Sequence, residues 1–367
     1  MPTVRDGKPA DSQDASADQA LRGAARSSIL SFAGSMVSGL AGFGLSLILG
    51  RGLGPAGSGL VFQMVSVFTI ASAIAKLGLD TTCVWLLPRL ALTQRSDVRR
   101  AASILLVGSL AGGIVAGGVL ALLAPFLDGG QADLVSLVRV AAIFIPLSSV
   151  STVALAVTRG LGGIRPYVLI GSIGLPTLRL ASAAIAVAFA ASAVLVSMTW
   201  LATLALITAL ALLASARVLR PFTKPDASTR SRRDLTKQVG DYSLPRAMSS
   251  VIEQALLWQD VLIVGLIVGP EAAGVYGVVS RLVQAGFIPS TSMRIVVAPQ
   301  FSRMLHRGQI DVLSDFYSRT AQWIVLMSVP MYVLFAVLGQ PLLAIFGPGF
   351  IQGALTLTIA SVGATIW

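Results

Sequence analysis

The 367 residues are 55% hydrophobic and 12% charged, with a mean hydropathy of +0.82, whereas a soluble domain carries about 25% charged residues. That balance excludes a soluble enzyme or binding module and defines an integral membrane protein. The net charge of +11 does not point to nucleic acid, because most basic residues fall in short connections between apolar segments, where membrane topology places them. Cys83 and His306 are each the only residue of their kind. Neither a disulfide framework nor a Cys- or His-based metal site can form from them, and no cofactor is implied.

In chain order, residues 1–26 lack an apolar core and are expected to form a disordered cytoplasmic tail, not a signal peptide. Apolar segments then recur at about 28–50, 60–87, 101–124, 135–158, 167–190, 193–216, 244–267, 273–298, 317–339 and 351–367. Each is long enough to cross a hydrocarbon core of about 30 Å as a helix. The fold class is therefore all-α, a polytopic transmembrane helical bundle. Basic residues should gather on alternate connections if these spans are real. Arg89, Arg95, Arg99 and Arg100 follow the second span, and Arg159 and Arg165 the fourth. Seven Arg and Lys from Arg217 to Lys237 follow the sixth, and Arg303 and Arg307 the eighth. The intervening connections hold Arg51 and the acidic Asp128, Asp133 and Glu271, so these face outward and the N-terminus is expected in the cytoplasm.

The basic stretch 217–241, with Pro221 and Pro225, is the longest connection after the tail and reads as a cytoplasmic linker. It divides a six-span N-terminal lobe, 27–216, from a C-terminal lobe, 242–367, of four spans. An even number of spans returns the chain to its starting side, so the second lobe repeats the first in parallel. One signature marks the repeat. Leu53-Gly54-Pro55-Ala56-Gly57-Ser58-Gly59 returns as Val268-Gly269-Pro270-Glu271-Ala272-Ala273-Gly274, each joining two apolar segments. Against the six spans of the first copy, the second is expected to be incomplete by two.

These hairpins, with Leu77-Gly78-Leu79-Asp80, Leu86-Leu87-Pro88-Arg89, Val275-Tyr276 and Phe346-Gly347, resemble the polysaccharide-biosynthesis (Wzx-type) branch of the multidrug/oligosaccharidyl-lipid/polysaccharide (MOP) superfamily. The resemblance runs from residue 28 onward. It implies two lobes of twelve or fourteen spans in all around a central cavity, in the bacterial inner membrane. It also implies an undecaprenyl-diphosphate-linked oligosaccharide as cargo, membrane lipid as its surroundings, and polysaccharide polymerase machinery as a partner.

A charge at mid-membrane costs about 2.5–3.5 kcal/mol on insertion scales, so each intramembrane ionisable residue needs a partner, water or a helix end. Lys76 and Asp80 lie one helical turn apart in the second span, where they can neutralise each other or open to cargo. Arg246, Glu253 and Asp260 recur every seven residues, within about 40° of one helix face, and span about 21 Å along the axis. Such a stripe suits a cavity wall better than lipid. Glu253, Asp260 and Asp80 are candidates for ion coupling. Arg179 and Arg281 are deep cations whose planar guanidinium groups suit bidentate grip on phosphate oxygens, the plainer alternative being pairing of Arg281 with Glu253 or Asp260. Arg246, Arg294 and Lys76 complete the candidate substrate-binding set; for Arg294, snorkelling at a span end is the plainer reading.

Three functions are open at this stage. The first is a flippase carrying lipid-linked oligosaccharide by alternating access. The second is a cation-coupled multidrug or solute exporter, which Glu253 and Asp260 would serve. The third is a membrane polymerase or acyltransferase, against which the outward loops hold no His and no dense carboxylate cluster for acid–base chemistry, so no catalytic residue is assigned.

Overall fold

A computed structural model describes residues 10–127, 130–190, 192–222, 231–288 and 309–366, with scattered positions between 290 and 305. Asp128, Arg294 and His306 lie outside the described residues. Helices, with short π and 3-10 segments, make up the described secondary structure. They are α1 (Ala10–Ala75), α2 (Leu79–Thr93), α3 (Arg95–Leu123), α4 (Ala132–Gly160), α5 (Ile164–Ala188, with a π-helical segment Tyr167–Gly174), α6 (Ala193–Leu219), α7 (Arg232–Ile267), α8 (Pro270–Ala285), α9 (Ile310–Val337), α10 (Gly339–Ala344) and α11 (Ala354–Ile366). Among the described residues eight helical stretches are long and apolar enough to cross a membrane. The first, Ile29–Thr93, contains both of the first two expected spans. The 16 residues of α8 form the first part of the expected eighth.

The two spans of α1 part at Gly54, which adopts φ 66 and ψ −176. The cause is local. A residue before proline is pushed out of the helical region, Pro55 has no N–H to donate, and glycine alone takes a positive φ without a Cβ penalty. The same chemistry recurs at Gly269 (φ 123) before Pro270 and at Gly347 (φ 133) before Pro348. Packing register shows that the chain folds back at Gly54. In the first arm Gly34 faces Val168 and Gly52 faces Val187 of α5, whereas at the far end of the second arm the Ala75 carbonyl meets Gly112 of α3. All three Gly–Pro turns thus lie at one end of the bundle. The connection into α2, the start of α3 and the start of α7 lie at the other.

Two segments are more helical than their sequence suggests. α1 begins at Ala10, inside the expected disordered tail, because an Ala-rich segment elongates an existing helix without a new nucleation cost. α7 begins at Arg232, inside the expected linker and twelve residues before the expected span. Ser231 caps it by accepting from the Arg233 N–H at 3.3 Å. Leu235 and Val239, one turn apart, are buried against Leu79, Leu86, Leu90, Val98 and Val157 of the first lobe.

Glycines set the close helix approaches in the first lobe. A Cβ on Gly113 would lie 2.6 Å from the Pro146 Cα, and one on Gly117 2.6 Å from the Ala142 carbonyl, so α3 and α4 touch backbone to backbone. The main apolar core is continuous across both lobes. It joins Met64, Val65 and Phe68 of α1, Ile145 of α4 and Leu201 and Leu204 of α6 to Val275, Val278 and Leu282 of α8 and to Phe346 and Phe350 beyond α10.

Candidate functional site

The lobes meet along a seam in which the second arm of α1, with α2, runs antiparallel to α7. At the Gly–Pro end Gln63 packs on Gly265, and towards the other end Gly78 packs on Ser243 and Ala247. The candidate residues distribute along this seam and behind it.

Lys76 and Asp80 meet, with Nζ 2.9 Å from Oδ2 and each side chain 19% exposed. The unbroken turn expected between them is absent. Leu77 (φ 49) and Gly78 (φ 69) are left-handed, and the Leu79 N–H donates to the Lys76 carbonyl at 2.8 Å to close the break. The Leu77-Gly78-Leu79-Asp80 motif is therefore a helix break bridged by an ion pair. Its glycine is required because the α7 backbone comes to 2.5 Å (Ser243 O) and 2.8 Å (Ala247 N) from where a Cβ would stand, and Arg246 lies against the same turn.

α7 is continuous from Arg232 to Ile267, so Arg246, Glu253 and Asp260 share a stripe. It runs beside the packed face formed by Ser243, Ala247, Val261 and Gly265, leaving Arg246 and Glu253 exposed and Asp260 half-buried. Asp260 is held within its lobe. Its Oδ1 accepts from the Val261 N–H at 2.8 Å and its Oδ2 accepts from the Tyr276 phenol of α8 at 3.0 Å.

Arg281 does not take the carboxylate partner considered for it. Its guanidinium lies over the Trp258 ring at 4.2 Å and Nη1 donates to Gln284 Oε1 at 3.2 Å, with Asp260 near enough to act through space. Arg179, one turn beyond the π-helical segment of α5, is arranged similarly. It lies 3.5 Å over Trp200 of α6, and its Nε has no hydrogen-bond partner. Trp200 in turn meets Phe68 of the seam edge-on at 5.8 Å. Each lobe thus carries a deep arginine stacked on a tryptophan, an attraction of about 2 kcal/mol or more when desolvated.

Several seam residues escape a reading based on charge. Trp85 of α2 and Tyr242 of α7 stack across the lobes at 4.2 Å with planes 7° apart, and Arg89 covers the other face of Trp85 at 4.4 Å. The i, i+4 spacing of Trp85 and Arg89 is a sequence signal for that contact. Gln63 and Gln131, uncharged amides beside apolar runs, cross the seam at the Gly–Pro end. Among the described residues no group of three or more His, Cys, Asp or Glu is placed to hold a metal.

Helices packed as two repeat lobes around a seam of intramembrane charges define a multi-pass membrane transporter fold. Solved structures agree. The chain aligns with an inward-facing multidrug resistance MATE family transporter of the MOP superfamily at TM-score 0.63 and 14% identity, over 92% of this chain and 82% of that one. An outward-facing MATE family transporter of that superfamily gives 0.56 at 17% identity, over 92% and 80%. A MATE protein in its straight conformation gives 0.54 at 16%, over 94% and 80%. Residues 24–305 match the family described as polysaccharide biosynthesis protein, and the chain belongs to that family, within the MOP superfamily of flippases and exporters. No curated protein matches the sequence.

Proposed function

We propose that this protein is a flippase that moves a polyprenyl-diphosphate-linked oligosaccharide across the bacterial inner membrane during surface-polysaccharide synthesis. The observation that carries the proposal is the partnering of Arg281. A guanidinium inside a membrane domain touches an aromatic face and a neutral amide, with Asp260 acting only through space, which leaves its hydrogen-bonding edge for an anionic cargo. Arg179, with its free Nε, gives the first lobe an equivalent cation. A diphosphate matches two planar, delocalised donors better than a neutral or cationic solute does.

In this reading the N-terminus is cytoplasmic and the Gly–Pro end faces outward. Arg246, Lys76 and Arg294 lead the cargo towards the deep arginines, and the Lys76–Asp80 pair parts as the anion arrives. The lobes rock while the polyprenyl tail stays in lipid, without a covalent step. Polysaccharide polymerase machinery would receive the product. Asp260 on Tyr276 and the exposed Glu253 favour the second reading, a cation-coupled exporter, and serve here as the proposed coupling groups.

Thermal unfolding of the purified full chain in detergent tests the cargo class. Geranyl diphosphate is expected to raise the midpoint in a concentration-dependent way, geranyl monophosphate to do so less, and Arg281→Ala to remove the difference. A midpoint that responds to hydrophobic dyes and to neither phosphate would overturn the diphosphate reading in favour of the exporter.

A further inference from the structure

The corner between α2 and α3, at the end of the bundle opposite the Gly–Pro turns, holds a fully buried carboxylate. α2 ends at Thr93, Gln94 interrupts the helix at φ −149 and ψ 71, and α3 starts at Arg95. Asp97 lies in the first turn of α3 and is 0% exposed. Both of its carboxylate oxygens lack a hydrogen-bond partner among the described residues, and so does the buried amide oxygen of Gln94. Gln94 stands at the N-cap and Asp97 at the third helical position, the two places of a capping box, whose side chains meet over the first turn. Here neither side chain caps the helix. The Asp97 N–H donates instead to the Gln94 main-chain carbonyl at 3.0 Å, which leaves three acceptor oxygens on one turn without a donor.

The donors nearest in sequence are engaged elsewhere. Arg89 lies over Trp85 at 4.4 Å and Arg95 over Phe222 at 5.3 Å. Thr93 Oγ1 donates to the Arg89 carbonyl at 2.8 Å. Arg99 is exposed and sits about 200° round the helix from Asp97. None of these, nor Arg100, hydrogen-bonds to the carboxylate. The packing beside this turn is apolar, since Leu90, Val98 and Ala101 share a buried cluster with Leu235 and Val239 of α7. The α3 N-terminus supplies about half an elementary charge, which offsets only part of a buried carboxylate. Buried polar groups without a partner are accounted for in native folds by water, an ion or a function.

We propose that the α2–α3 corner binds a monovalent alkali cation, sodium or potassium, through both Asp97 oxygens and the Gln94 amide oxygen. The chemistry of the donors selects the ligand. All three are hard oxygens, which suit alkali and alkaline-earth ions and not the ions that prefer nitrogen or sulfur. A single carboxylate is neutralised by one positive charge, whereas a divalent ion would leave a net charge buried. Water could donate to two of the oxygens but brings no counter-charge. The exposed guanidinium groups nearby are screened by solvent and oppose a cation in direct contact with the carboxylate only weakly. With the cation in place the corner braces the surface on which Leu235 and Val239 dock, and so supports the start of α7. The inference is independent of the cargo and of the proposed coupling groups.

Thermal unfolding of the full chain in detergent tests the site, with sodium or potassium replacing choline stepwise at constant ionic strength and pH. One or both are expected to raise the midpoint by about 3 °C for each tenfold rise in concentration once the site fills. Asp97→Asn keeps the shape, removes the charge and should make the midpoint indifferent to either cation. Gln94→Ala should need about tenfold more cation for the same rise, because one of the three oxygens is lost. The proposal is overturned if the parent melts alike in all three salts, if Asp97→Asn keeps the response, or if Gln94→Ala leaves the concentration dependence unchanged. Acidification in choline that reproduces the full rise, with no further effect of either metal ion, would also overturn it and make a proton the occupant.

Discussion

Arg281→Ala is expected to abolish glycan export while the protein remains folded in the membrane. The side chain supplies a charge that the cargo neutralises. Losing charged hydrogen bonds of this kind costs about 1.5–3 kcal/mol each, and a bidentate contact has two, so transport falls by about two orders of magnitude or more. The fold loses little, because the direct partners left behind are an aromatic face and the amide of Gln284, and Asp260 keeps its own hydrogen bonds from the Val261 N–H and the Tyr276 phenol. Arg281→Lys keeps the charge but not the planar fork and should retain a small part of the activity. Surface polysaccharide, measured alongside the melting midpoint of the purified variant, separates transport from folding. Arg179→Ala should reduce export and also lower the midpoint, since Arg179 packs at 3.5 Å on the buried Trp200.

The largest expected effect on stability is at Gly78. Alanine there takes a left-handed conformation that costs about 1–2 kcal/mol in L-residues, and its methyl is forced against the Ser243 carbonyl and the Ala247 amide. Both are backbone atoms of α7 and cannot rotate away, and overpacking of this kind adds about 1–3 kcal/mol. Gly54 differs in kind: nothing lies within 4 Å of an added carbon, but φ 66 with ψ −176 is a conformation essentially confined to glycine, so Gly54→Ala loses stability through the backbone alone. Thermal unfolding of Gly78→Ala should show a loss of about 2–5 kcal/mol, the backbone and overpacking costs together. A loss of about 1–2 kcal/mol, the backbone cost alone, would mean that the seam yields at this point.

The contrast between these two glycines also marks how much was legible in the sequence. Gly54 and Gly269 precede prolines, so their turns follow from local sterics and were readable together with the repeat. Gly78 precedes Leu79, and nothing local separates a helix break from a tolerated glycine; the approach of α7 decides it. Which glycines serve a close helix approach does not follow from their spacing. Gly34, Gly44, Gly113 and Gly117 do receive a neighbouring helix, while Gly39 and Gly42 face open space.

Within the site, the stripe of Arg246, Glu253 and Asp260 follows from spacing because α7 is unbroken. The partners of Arg281 do not follow, since a cation can be stabilised by a carboxylate, an amide or a ring, and only packing of α7 on α8 selects Trp258 and Gln284. The start of α7 was missed because Leu235 and Val239 are isolated apolar residues in a basic stretch. Their burial depends on a surface contributed by α2, α3 and α4.

Transbilayer movement in vesicles tests the central claim most directly. The full chain is reconstituted into liposomes with a fluorescent polyprenyl-diphosphate disaccharide, and arrival in the opposite leaflet is read by quenching from outside. Movement well above protein-free vesicles, abolished by Arg281→Ala and absent for a polyprenyl alcohol carrying the same sugars, is the predicted result. Equal movement of the diphosphate and alcohol lipids, or movement unaffected by Arg281→Ala, would contradict it.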